Sequence, residues 1–81
     1  MRLLVADDHP LFRLGLKAAL EAEGLEVVAE AGTGEEALAQ ALEKAPDAVL
    51  LDLRMPGMDG LTCARRLREI GYRGLVILLT T

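Results

Sequence analysis

Leu3-Leu4-Val5-Ala6-Asp7-Asp8 and Val49-Leu50-Leu51-Asp52 decide the reading of this chain: two aliphatic runs, each closing on carboxylates. If the runs are neighbouring parallel strands, all three acids meet at one edge of the sheet. Three carboxylates in one small cleft repel each other unless a cation sits among them. Hard divalent ions such as Mg²⁺ take oxygen ligands of this kind, as one or two carboxylates plus waters and a phosphate. The pattern therefore points to an acidic, metal-dependent site.

Outward from these runs, four aliphatic segments alternate with three helical patterns. The first strand is about Arg2–Ala6. His9-Pro10 follows, and Pro suits the first turn of a helix. Phe12, Leu16, Ala19 and Leu20 share one helical face, and Gly24 can end that helix. Glu26–Glu30 is a short second strand flanked by charge, as befits an edge. Thr33-Gly34-Glu35-Glu36 reads as a capping box opening a second helix, in which Thr33 and Glu36 each satisfy a free backbone N–H. Its inward face is Ala37, Leu38, Ala41 and Leu42, and Pro46 closes it. The third strand, Ala48–Leu53, is an almost unbroken apolar run, the signature of a strand covered on both faces. A third helix over Leu61–Ile70 turns Leu61, Ala64 and Leu67 inward. Leu75–Leu79 then forms a fourth strand ending at Thr80-Thr81.

Strand–helix alternation indicates right-handed βαβ units and a parallel sheet. The first and third strands are the most apolar, so the second lies outside the first. The expected fold is α/β, a flavodoxin-like doubly wound parallel sheet with strand order 2-1-3-4. Its switch point falls between the first and third strands, where such sheets bind ligands beyond the carboxyl ends. Asp7, Asp8 and Asp52 sit at that crevice.

Composition narrows the function classes. The 81 residues are 52% hydrophobic and 27% charged, with a formal net charge of −4. That is a globular composition for one small domain. An acidic balance argues against a nucleic-acid surface, which needs clustered Lys and Arg; Arg65, Arg66 and Arg68 read instead as the wet side of a helix. No apolar stretch approaches the roughly 20 residues of a membrane span. The Met1-Arg2-Leu3-Leu4-Val5 start breaks at Asp7-Asp8, too early for a signal-peptide core. The lone Cys63 suits buried packing and a reducing cytoplasm. His9 reads as a loop residue before Pro10, and a zinc site is not expected.

Asp52 has the chemistry of a metal ligand, a general base or a nucleophile. A carboxylate that attacks phosphorus gives an aspartyl phosphate, a known covalent mode. Mg²⁺ held by Asp7 and Asp8 would offset the repulsion between acid and phosphoryl group. Thr80 brings a hydroxyl to the same crevice, and the Arg54 carbonyl, beside the tight Met55-Pro56-Gly57-Met58-Asp59-Gly60 loop, is a further candidate metal ligand.

Three separated segments, Ala6-Asp7-Asp8-His9-Pro10-Leu11-Phe12-Arg13, Val49 through Gly60, and Leu79-Thr80, resemble receiver domains of two-component response regulators. The Asp-Asp-His-Pro-Leu-Phe-Arg wording is similar to the subfamily whose receivers precede a helix-turn-helix output domain of the NarL/FixJ/LuxR type. The resemblance implies that Asp52 accepts a phosphoryl group from a sensor histidine kinase and that Asp7 and Asp8 are the Mg²⁺ acids. It implies Thr80 as the switch hydroxyl, and DNA contact only through an output domain. It runs the whole length of the chain. A phosphatase of the haloacid dehalogenase type also uses a strand-end aspartate, but needs a second acid where this chain has Arg54; a receiver is not an enzyme in that sense.

The resemblance also implies a further helix, a fifth strand and a last helix, and a lysine after the fifth strand that pairs with the acyl phosphate. Lys17 and Lys44 fall within helices and cannot take that place. Residues 1–81 are thus expected to be a partial receiver, truncated after its fourth strand. The alternative expectation is a phosphorylation-impaired fragment that self-associates through an exposed, apolar fourth strand.

Overall fold

Strands that are apolar on both sides need cover on both sides, and this requirement sets the architecture. The computed structural model describes residues 1–80; Thr81 lies outside the described residues. Its elements are β1 (Arg2–Ala6), α1 (Pro10–Ala22), β2 (Glu26–Ala31), α2 (Gly34–Lys44), β3 (Ala48–Asp52), α3 (Gly60–Glu69) and β4 (Leu75–Leu79). All strand pairs are parallel and the order is β2-β1-β3-β4, as expected from the sequence.

β1 and β3 form the spine. Leu3 pairs with Ala48, Leu4 with Val49, Val5 with Leu50 and Ala6 with Leu51, so Asp7 and Asp52 leave the sheet side by side. Alternate residues feed two cores. Leu4, Ala6, Val49 and Leu51 meet Ala37 and Ala41 of α2 and Cys63 and Leu67 of α3. On the opposite face Leu3, Ala48 and Leu50 meet Leu16 and Leu20 of α1.

The helix ends follow local chemistry. Thr33 caps α2, its hydroxyl oxygen accepting the Glu36 N–H at 3.1 Å. The Glu36 carboxylate accepts from the Gly32 N–H at 3.2 Å rather than from the Thr33 N–H, so the expected box closes one residue further out. Asp59 caps α3, and its hydrogen bond from the Thr62 N–H holds its carboxyl below the usual range. Helix α2 ends at Lys44, with Ala45 in the left-handed region at φ 44°, ahead of Pro46.

Several inward assignments change. Helix α1 has no fully buried residue: Phe12 and Ala19 are exposed, while Leu16 and Leu20 make the packing contacts. Phe12 stands on the same row one turn before Leu16, in the first turn of the helix, and is 45% exposed there. Leu42 points outward because Ala37 and Ala41 carry the contact line of α2. In α3 the buried i, i+4 pair is Cys63 and Leu67, which leaves Leu61 exposed. At β4, Leu75, Ile77 and Leu78 are exposed, at the edge of the described sheet.

Leu51 is fully buried at the centre of the larger core. Leu51→Ala should cost about 2–5 kcal/mol, whereas Leu42→Ala should stay within roughly 0.5 kcal/mol. Urea denaturation of the two variants checks this, and equal losses would contradict the packing described.

Candidate functional site

The carboxyl ends of β1 and β3 are where the acids converge, and each end is built by the same local device. Asp7 Oδ1 accepts the backbone N–H of His9 at 2.7 Å, and Asp52 Oδ1 accepts the backbone N–H of Arg54 at 3.0 Å. Asp side chains readily bond the backbone two residues on. Each turn fixes one oxygen of its carboxylate and leaves the other without a partner among the described residues. Asp7 and Asp52 are both essentially buried, at 0% and 1% exposure.

Among the described residues, Asp7 Oδ2, Asp8 Oδ1 and Asp52 Oδ2 have no hydrogen-bond partner although all three atoms are buried. Buried polar atoms are nearly always satisfied, so three orphaned acceptors on neighbouring acids call for a cation or donor. Asp7, Asp8, His9 and Asp52 each bring one potential ligand atom, all within 4.8 Å of one another. At such separations two carboxylates repel by roughly 3–4 kcal/mol at an effective dielectric near 20. The donor set fits a hard divalent ion.

His9 was not legible as part of this group. Its Nδ1 lies 3.2 Å from Asp7 Oδ1, 3.0 Å from Asp8 Oδ1 and 3.9 Å from Asp52 Oδ2. The contact with Asp8 is close but not aligned as a hydrogen bond, which is why Asp8 Oδ1 counts as unpartnered. His9 is the N-cap of α1, and its side chain makes no capping bond. His9 does lie in the loop before Pro10, as read from the sequence, and the structure adds that its ring stands beside the acids. Its position directly after Asp7-Asp8 was the available signal. Arg13 was also missed: its Nη1 donates to the carbonyls of Asp7 at 2.6 Å and Ala31 at 3.3 Å, tying α1 to the ends of β1 and β2. Its Nε pairs with Glu30 at 3.1 Å.

The other sequence candidates lie around this group. Arg54, with Asp8, His9, Met55 and Pro56, lines an open cleft of about 440 Å³. Thr80 is exposed and follows Leu79, whose register partner is Asp52. Met55 is buried in the core, and Met58 packs so close to Gly34 that an added Cβ would stand 2.8 Å from it, both as expected of packing residues. Cys63 is buried, and desolvation pushes its thiol up to about 11, so it is protonated and unreactive at neutral pH.

A parallel 2-1-3-4 sheet with buried acids at the ends of its first and third strands is the arrangement of a signalling receiver domain. The chain belongs to the response regulator receiver domain family, whose description matches residues 3–81. It is 40% identical to the nitrate/nitrite response regulator protein homolog of Haemophilus influenzae, over 99% of this chain and 39% of that protein. It thus spans about two fifths of the length of such curated relatives. The signal receiver domain of the response regulator NarL from Mycobacterium tuberculosis superposes with a TM-score of 0.92 at 45% identity, covering 98% of this chain and 64% of that one. A chain of the CheX–CheY–BeF3–Mg²⁺ complex from Borrelia burgdorferi gives a TM-score of 0.93 at 30% identity, covering 99% and 61%. No helix among the described residues is long and apolar enough to cross a membrane.

Crowding of the carboxylates has a measurable consequence. In EDTA, Asp52→Asn should stabilise the fold by on the order of 1 kcal/mol, because it removes one of three like charges and keeps an acceptor for the Arg54 N–H. Urea unfolding without metal tests this; a less stable variant would refute the repulsion described.

Proposed function

We propose that this chain is a cytoplasmic, Mg²⁺-dependent phosphoacceptor in which Asp52 receives a phosphoryl group from a sensor histidine kinase. The observation that carries this reading is the state of the Asp52 carboxylate: one oxygen held by the Arg54 N–H, the other buried and unpartnered among the described residues. An oxygen so presented has no hydrogen bond to break before it attacks.

In the step proposed, Asp52 Oδ2 attacks phosphorus, an O–P bond forms, and the P–N bond to the donor imidazole breaks. The electron pair leaves with the imidazole nitrogen, which then takes up a proton from solvent. Asp7 and Asp8, together with Asp52 and the Arg54 carbonyl, would hold the ion. When bound, Mg²⁺ supplies neutralisation of charge on the phosphoryl oxygens. The twin backbone turns at Asp7 and Asp52 hold the carboxylates in place while that charge arrives. Arg13, bonded to the Asp7 carbonyl, braces the loop behind them.

Thr80, one residue beyond the level of Asp52, would donate its hydroxyl to a phosphoryl oxygen and so couple β4 to the modification. The output in this reading is transcriptional, through a DNA-binding domain outside residues 1–81. Support comes from the relatives, which are named as response regulators and transcription regulators, and from the Borrelia complex, which is named for Mg²⁺. The chain acts as a partial receiver, a signalling module and not an enzyme with a separate substrate.

Incubation with Mg²⁺ and acetyl phosphate should add one phosphoryl group, seen by intact mass. EDTA and Asp52→Asn should each abolish the adduct. Retention of the adduct in Asp52→Asn, or no adduct on the folded wild type, would overturn the assignment.

A second reading is favoured by the exposure of Leu75, Ile77 and Leu78 on β4. An apolar edge strand offers unpaired backbone groups to another chain, so the 81-residue chain self-associates there, by edge pairing or strand exchange. Light scattering coupled to size-exclusion chromatography should then report a dimer or larger species. A stable monomer at micromolar concentration would exclude it.

A further inference from the structure

We infer that His9 is a nitrogen ligand of the acidic site and biases it towards borderline transition ions, Mn²⁺ through Zn²⁺, over Mg²⁺. The inference rests on the metal-site reading above and adds a specificity determinant to it.

Three observations on different atoms carry it. First, the imidazole is at the site: Nδ1 stands 3.0–3.9 Å from one oxygen of each of the three acids. Two ligands at right angles on an ion with bonds of about 2.1 Å lie about 3.0 Å apart, and opposed ligands about 4.2 Å. The separations of Nδ1 from the carboxylate oxygens fall in that span, so the ring nitrogen stands at the spacing of a fellow ligand from each acid.

Second, the oxygens that would complete such a set are unsatisfied. Asp7 Oδ2 and Asp52 Oδ2 belong to side chains at least 99% buried and lack partners among the described residues, and Asp52 Oδ2 stands 3.9 Å from the ring nitrogen. An acidic patch on a wet surface would have water for these atoms. Third, the ring is exposed, and its Nδ1 is paired only within the site, with Asp7 Oδ1 at 3.2 Å, a contact that an ion taken up there would replace. Its side chain is 64% exposed, and it makes no capping bond to α1. The His9 backbone N–H is already committed to Asp7 Oδ1, which pins the residue next to the crevice whatever the ring does.

The chemistry of the donor then decides the preference. Mg²⁺ favours oxygen and retains water, whereas imidazole nitrogen suits Zn²⁺, Ni²⁺, Cu²⁺ and Co²⁺, with affinity rising along the divalent series. A site with three carboxylates alone discriminates weakly between these ions. One added nitrogen raises affinity for the later ions and does little for Mg²⁺.

His9 is the single histidine of the chain, so its ring can be followed without assignment ambiguity. The full chain and His9→Gln are titrated with Co²⁺ and with Mg²⁺ by calorimetry, and the imidazole ¹⁵N signals are recorded with and without Zn²⁺. We expect Co²⁺ affinity to fall by on the order of tenfold in His9→Gln while Mg²⁺ affinity holds. The ¹⁵N resonance of one ring nitrogen should shift on Zn²⁺ addition to the wild type. Mg²⁺ binding with Co²⁺ affinity unchanged in the variant would overturn His9 ligation and leave the proposed function standing. An equal loss for both ions would assign His9 a positioning role only and refute the selectivity. A folded wild type that binds neither ion would overturn both readings.

Discussion

Burial of like charges at the ends of two adjacent parallel strands is the constraint on which the rest of this structure depends. β1 and β3 must be neighbours for their four apolar residue pairs to be buried in the cores on the two faces of the sheet, and the same register delivers Asp7 and Asp52 to one point. The carboxylates cannot retreat into solvent without withdrawing the strands that carry them. The fold responds with paired backbone turns, at His9 and at Arg54, that stabilise one oxygen of each acid. It adds a guanidinium behind Asp7 and an imidazole in front. What remains unsatisfied, one oxygen on each of three acids, is the chemical capacity of the site.

Much of this was legible before any coordinates. Aliphatic runs ending in acids announced the strands, their order and the convergence of Asp7, Asp8 and Asp52, because period and burial act over a few residues and leave their mark in composition. Cys63 as packing and Thr33 as a helix cap were legible for the same reason. His9 was not, since the placement of an imidazole depends on a turn geometry that the letters His-Pro do not specify. Glu36 reached Gly32 instead of Thr33 because a flexible carboxylate picks among neighbouring donors once the loop is set. Leu42 and Leu61 were misassigned for a third reason. Helical periodicity defines an apolar face about 100° wide, but the width in contact is set by how close the helix sits. Alanines at 37 and 41 bring α2 near enough that a narrow strip suffices.

The two cores differ in kind. The α2–α3 side holds most of the fully buried residues, whereas α1 contributes only half-buried leucines on the other face. The site lies where the two sides meet, on loops that leave the sheet towards α1 and α3. Its acids are anchored by the rigid strands, while the groups around them, His9 and Arg54, stand on more exposed connections.

The glycine that opens α3 gives the arrangement a mechanical property. A Cβ at Gly60 would stand 2.5 Å from the Asp52 carbonyl oxygen and 2.8 Å from Leu53 Cα, so helix and strand end touch backbone to backbone. Its N–H donates to the Leu53 carbonyl at 3.1 Å, which fastens the contact. A side chain between two elements can absorb a small displacement by changing rotamer, but two main chains in contact cannot, and packed interiors compress little. Helix α3 therefore follows the end of β3 as a follower rides a cam. Any shift of the Asp52 segment is carried to the far turn of that helix, where Arg68 grips the carbonyls of Tyr72 and Gly74.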